Sequence, residues 1–162
     1  RAHVARLAGE KLAVVAARHS DALVLAADTV VACGRRILPK AETPEQACDC
    51  LRLLSGRRHL VLSAVSLMLP ADGAPNRNVR ARTVETAVRF KRLEASEVES
   101  YIQQGEWRSK AGGYAIQGHA ARFVAWINGS YSNVVGLPLF ETHALLNSTG
   151  LATPKPDAPQ RQ

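Results

Sequence analysis

Aromatic side chains make up only 5% of this 162-residue chain, and cysteine occurs three times. So few rings are thin material for a surface that stacks nucleic-acid bases. Cys33, Cys48 and Cys50 lack C-x-x-C spacing. Two of them sit two residues apart in a helical stretch, where they share no face, which argues against a zinc site or a disulfide framework. They read as small apolar fillers in a reducing, cytoplasmic setting. No apolar run approaches the length that crosses a bilayer and no secretory leader opens the sequence, so no membrane partner is expected. Acidic residues are outnumbered, 14 against 21 basic, for a net charge of +7. The excess falls in dispersed pairs (Arg35-Arg36, Arg57-Arg58, Lys91-Arg92) and not in one tract. Nucleic acid is therefore not the expected partner, and a small polyanion would be served by the same charge. No G-x-S-x-G elbow is present. His3, His19, His59, His119 and His143 lack metal-ligand spacing and are expected at the surface or in loops.

With 46% apolar residues the chain can bury one core, and a single domain over residues 1–151 is expected, with a disordered tail at 152–162. Val4, Leu7, Ala8, Leu12, Val15 and Ala16 recur at helical spacing between about His3 and His19. Thr43-Pro44-Glu45-Gln46 is a helix start, with Thr43 as cap, Pro44 in the first turn and Gln46 closing a capping box. Ala47, Cys50, Leu51 and Leu54 form that helix's apolar stripe, and Gly56 follows its end. The run from Leu60 to Leu69 reads as a central strand, and Pro70 to Pro75 as a loop. Val84, Thr86, Val88 and Phe90 alternate with polar neighbours, out of phase with Val79 and Ala81, which predicts a bulge near Thr83. A helix from Ser96 to Gly105, a glycine-rich stretch over 112–118, a strand over 123–127 and a helix over 137–146 complete an α/β fold with a mixed, twisted sheet flanked by helices. The polar run Ser130-Tyr131-Ser132-Asn133 reads as a simple turn.

One acid interrupts an otherwise apolar strand, in Leu23-Val24-Leu25-Ala26-Ala27-Asp28-Thr29-Val30-Val31. An ionised carboxylate leaves water at high cost unless cations, a metal or hydrogen bonds compensate. Asp28 is therefore either a turn former or a chemical group. Gly34-Arg35-Arg36 and Lys40 follow within one strand–loop–helix passage, a grouping of acid, hydroxyl and cations that suits a phosphate ester and its metal.

The motifs Ala27-Asp28-Thr29-Val30-Val31, Lys40 and Leu54-Ser55-Gly56-Arg57-Arg58-His59 resemble those of the Maf family of nucleoside triphosphate pyrophosphatases. So do the segment from Lys110 through Gly112-Gly113-Tyr114 to Gly118 and that from Ile127 to Leu139. The resemblance runs in order from about Arg6 to Leu146. It implies a Maf/ITPase-like fold and a cytoplasmic house-cleaning enzyme that splits a nucleotide into monophosphate and pyrophosphate with Mg²⁺ or Mn²⁺. By the same resemblance Asp28 is the catalytic proton acceptor and a metal ligand, Lys11 and Lys40 bind phosphate, and Thr29 and Gln117 select the base. The Ile116-Gln117-Gly118 context resembles the branch preferring dTTP and UTP. Two departures stand out. The family's opening strand and Ser-x-Ser-x-Arg-Arg loop have no counterpart, so the sequence reads as lacking that segment, and the activity of the chain as given is a matter for test. Ala41 stands where the family commonly has proline. A homodimer is compatible with the resemblance, and a non-catalytic nucleotide- or RNA-binding module of degenerate Maf type is the competing reading.

Overall fold

The computed structural model describes residues 1–70 and 79–150, so the expected tail at 152–162 and most of the expected 70–75 loop lie outside the described residues. The elements are α1 (Ala2–Ala16), β1 (Val24–Cys33), β2 (Arg36–Leu38), α2 (Pro44–Leu54), β3 (Arg58–Met68), β4 (Val79–Phe90), α3 (Ala95–Gln104), β5 (Val124–Asn128), α4 (Tyr131–Val135) and α5 (Leu139–Asn147). A short 3-10 turn over His119–Phe123 leads into β5. The strands form one sheet in the order β2-β1-β3-β4-β5. This is the expected α/β domain of a sheet flanked by helices, with the apolar β3 at its centre. Every pairing among the described strands is antiparallel.

Alternation along β1 divides its side chains between two packed faces. The buried residues of α1 are Val4, Ala8, Leu12 and Ala16, spaced four apart so that they form one stripe. They pack on Leu62, Ala64 and Val24. Val15, expected on this stripe, is turned outward. On the opposite face Val31, Val61, Val88, Phe90, Tyr101 and Phe123 join the α2 stripe of Ala47, Cys50, Leu51 and Leu54 in the main core. Thr43 caps α2 as expected, its hydroxyl accepting from Gln46 N–H at 3.3 Å. The Gln46 side chain reaches one residue further back, accepting from Glu42 N–H at 2.9 Å. Cys33 and Cys50 are buried, Cys48 is half-buried, and all three are free thiols.

Two expectations need correction. There is no bulge at Thr83: pairing with β3 runs unbroken from Met68↔Val79 through Ala64↔Thr83 to Arg58↔Arg89. The irregularity lies between Arg89 and Phe90, against β5. The apparent change of phase arises because the outer half of β4 is largely exposed, so burial selects apolar residues only from Thr86 onward, where β5 pairs with the strand. His59 is not a surface histidine. It is 1% exposed, with Nε2 2.9 Å from the Tyr114 hydroxyl and its ring edge-on to Phe90 and Tyr114. The other four histidines are exposed.

Candidate active site

Asp28 pairs across the sheet with Ala64 and so shares the β1 face that α1 covers. Its carboxylate is 6% exposed. Lys11, on the turn of α1 between Ala8 and Leu12, forms an ion pair with Asp28 Oδ1, and Lys40 Nζ lies 4.0 Å from the same oxygen. Both lysine side chains are about half exposed, at 50% and 56%. A buried acid thus meets two cations whose side chains stay about half in water.

Lys40 owes its place to a backbone clasp. The β1–β2 hairpin closes at Cys33↔Arg36, and Lys40 then bridges antiparallel to Ala111. Gly112 N–H donates to the Pro39 carbonyl at 3.0 Å, Ser109 N–H to that of Ala41 at 3.3 Å, and Ala41 N–H to that of Lys110 at 3.4 Å. The last of these uses an amide proton that proline would lack. Gly112 and Gly113 have φ of 69° and 70°, and a Cβ on them would lie 3.0 Å from Val31 and 3.2 Å from the Ala47 backbone. Only glycine allows this loop to press onto β1 and α2. Ser109 holds φ 60° without being glycine, a strained position on the cleft wall.

Thr29 points to the other face of β1. Its hydroxyl lies 2.7 Å from that of Ser63 and 3.3 Å from the Gly136 carbonyl. Ser63 donates to the Asn133 carbonyl at 3.1 Å, and Asn133 Nδ2 donates to the Val61 carbonyl at 3.1 Å and to Thr86 Oγ1 at 2.9 Å. Ser130 caps α4 by accepting from Asn133 N–H. The segment read as a simple turn therefore also carries a fully buried amide that ties α4 to β3 and β4. Tyr114 completes the wall of a cleft of about 250 Å³ lined by Lys11, Asp28, Thr29, Lys40, Ser109 and Gly136, among others. Burial pushes the Tyr114 phenol pKa up and holds His59 down at about 4, so at neutral pH this pair is uncharged.

The structure thus brings Lys11, Asp28, Thr29 and Lys40 to one cleft. Gln117 is exposed and does not line it, and Arg35 and Arg36 stand exposed at the hairpin tip, also away from it. Tyr114 and Ser109 were not singled out from the sequence. Tyr114 lies inside a quoted motif, whereas a positive φ at Ser109 leaves no mark in composition.

The family model described as "Maf-like protein" matches residues 1–149. The chain belongs to the Maf family. A dTTP/UTP pyrophosphatase of Paramagnetospirillum magneticum is 58% identical over 150 residues, covering 93% of this chain and 76% of that protein. Its namesake in Novosphingobium aromaticivorans is 56% identical over 151 residues, with 93% and 73% covered. That of Rhodospirillum rubrum is 55% identical over 150 residues, with 93% and 69% covered. The Maf cleft around Asp28 lies wholly within the matched span.

Proposed function

We propose that this Maf protein hydrolyses nucleoside triphosphates, dTTP and UTP foremost, to the monophosphate and pyrophosphate. The observation that carries the reading is a buried carboxylate held at a cleft by two half-exposed lysines. The names of the relatives, all dTTP/UTP pyrophosphatases, supply the base preference. At about 250 Å³ the cleft suits a phosphate chain, being smaller than the roughly 300–1,000 Å³ of clefts that enclose whole ligands. The base then lies outside it, toward exposed residues such as Gln117.

In this reading the incoming phosphates draw Lys11 and Lys40 away from Asp28, which burial keeps in place. Relieved of its counterions, Asp28 accepts a proton from water as the water oxygen attacks the α-phosphorus. The bond from that phosphorus to the bridging oxygen breaks, and its electron pair leaves with pyrophosphate. Lys11 and Lys40 neutralise charge that grows on the departing group. A divalent cation fits the donor set, because one carboxylate plus substrate phosphates is a common arrangement for Mg²⁺. Among the described residues there is no cluster of three or more His, Cys, Asp or Glu that could hold a metal alone. Asp28, the acid that lines the cleft, would be the residue to hold it. When bound, such an ion would neutralise phosphate charge and acidify water.

Action on a cytoplasmic nucleotide pool belongs to the same reading, supported by three unpaired cysteines; among the described residues no helix is long and apolar enough to cross a membrane. The test is a panel of nucleotides with Mg²⁺ or Mn²⁺, scored for pyrophosphate against orthophosphate. Pyrophosphate from dTTP and UTP is expected, and orthophosphate or no product from any nucleotide would overturn the assignment.

A further inference from the structure

Arg57 and the pair Lys91-Arg92, far apart in the sequence, meet in space. A second cleft, of about 780 Å³, opens where α2 ends beside β3 and β4. Five of its nine lining residues are cationic: Arg52, Arg57, Arg89, Lys91 and Arg92. Glu97 pairs with Lys91 at 2.5 Å and Asp49 lies 3.8 Å from Arg52. Arg57, Arg89 and Arg92 have no acidic partner among the described residues. The carboxyl end of α2 carries a partial negative charge of about half an electron. That accounts for Arg52 and Arg57 in part, but not for Arg89 and Arg92, which belong to β4 and the connection after it. Like charges gathered in one cleft repel one another unless an anion joins them.

This cleft is separate from the Asp28 site. Asp28 pairs with Ala64 on β3, whereas Arg89 pairs with Arg58, six residues along the same strand. At the usual strand rise the two lie about 20 Å apart. We propose that the cleft is a second anion site, which binds a free chain of two or three phosphates such as pyrophosphate, inorganic triphosphate or a nucleotide's tail. Arg57, Lys91 and Arg92 line one short cleft, a compact grouping instead of the extended groove that a polynucleotide backbone tracks. Among the described residues no aromatic ring but the buried Phe90 lines the cleft, so it offers no platform for stacking a base. The inference holds whatever the Asp28 site hydrolyses.

The test is amide NMR of the full chain titrated with inorganic pyrophosphate and inorganic triphosphate at about 0.15 M ionic strength. Saturable shifts are expected at Gly56, Arg57, Lys91 and Ala125, which line the cleft. Arg57→Ser or Arg92→Ser, both at exposed positions, should weaken that binding about tenfold or more, the loss of one charge-assisted contact. Asp28→Asn should leave it unchanged. Shifts confined to the Asp28 cleft, or none that saturate, would overturn the proposal. So would an arginine-dependent complex with a single-stranded oligonucleotide that neither free phosphate chain reproduces.

Discussion

Lowering the pH from about 7 toward 4 should destabilise the domain through His59, a ring 1% exposed between Phe90 and Tyr114. Burial lowers its pKa from 6.5 to about 4, with a smaller opposing contribution from the Arg57 backbone. The unfolded chain takes up this proton near pH 6.5 and the folded chain only near 4, so in the interval the unfolded state binds more protons and stability falls as pH falls. At about 1.4 kcal/mol per pH unit, the interval corresponds to on the order of 3 kcal/mol. Against a typical domain stability of about 5–15 kcal/mol that is a large share. Half-buried carboxylates with lowered pKa values, Glu97 and Glu106 among them, lose their own contributions in more acid solution, so the comparison must isolate the histidine. His59→Gln does so, because the Gln amide can still reach the Tyr114 hydroxyl and does not titrate. Urea denaturation of both proteins in steps of pH should show the wild type losing about 3 kcal/mol relative to the variant between pH 6.5 and 4. Parallel stability profiles, or an NMR titration of His59 with its midpoint near 6.5, would refute the argument.

Other substitutions probe the supports of the site. Gly112→Ala places a Cβ 3.0 Å from Val31 at φ 69° and should cost about 1–3 kcal/mol in a melting experiment, with Lys40 displaced and activity falling further than stability alone explains. Asn133→Leu removes the amide donor from the Val61 carbonyl and from the Thr86 hydroxyl, which keeps Ser130 as its partner, and should cost about 1–3 kcal/mol in thermal unfolding. Gln117→Ala should alter the ranking among nucleotides more than the maximal rate, since this exposed side chain lies outside the phosphate cleft; an unchanged ranking would remove it from base selection.

Much of this architecture is legible in local pattern. The four-residue spacing of Val4, Ala8, Leu12 and Ala16 specifies α1, Thr43-Pro44 specifies the start of α2, and the apolar Leu60–Leu67 stretch specifies the central strand. Asp28 and Lys40 stand out because an acid in an apolar strand and a lysine soon after it are unusual neighbours. What escapes the sequence is whatever depends on the third dimension. His59 reads as polar because its burial depends on Tyr114, 55 residues away. Asn133 reads as a turn residue because its partners, Val61 and Thr86, come from two strands. The phase change in β4 resembles a bulge because partial cover and a register shift both break alternation. Arg57, Lys91 and Arg92 look dispersed along the chain, yet the β3–β4 register makes them neighbours.

Pyrophosphate release from dTTP by Asp28→Asn tests the central claim most directly. The substitution keeps the shape of the side chain while removing its charge and its capacity to accept a proton. Turnover should fall by about 10²-fold or more, with nucleotide binding largely retained through Lys11 and Lys40. Near-normal turnover in this variant would contradict the role given to Asp28.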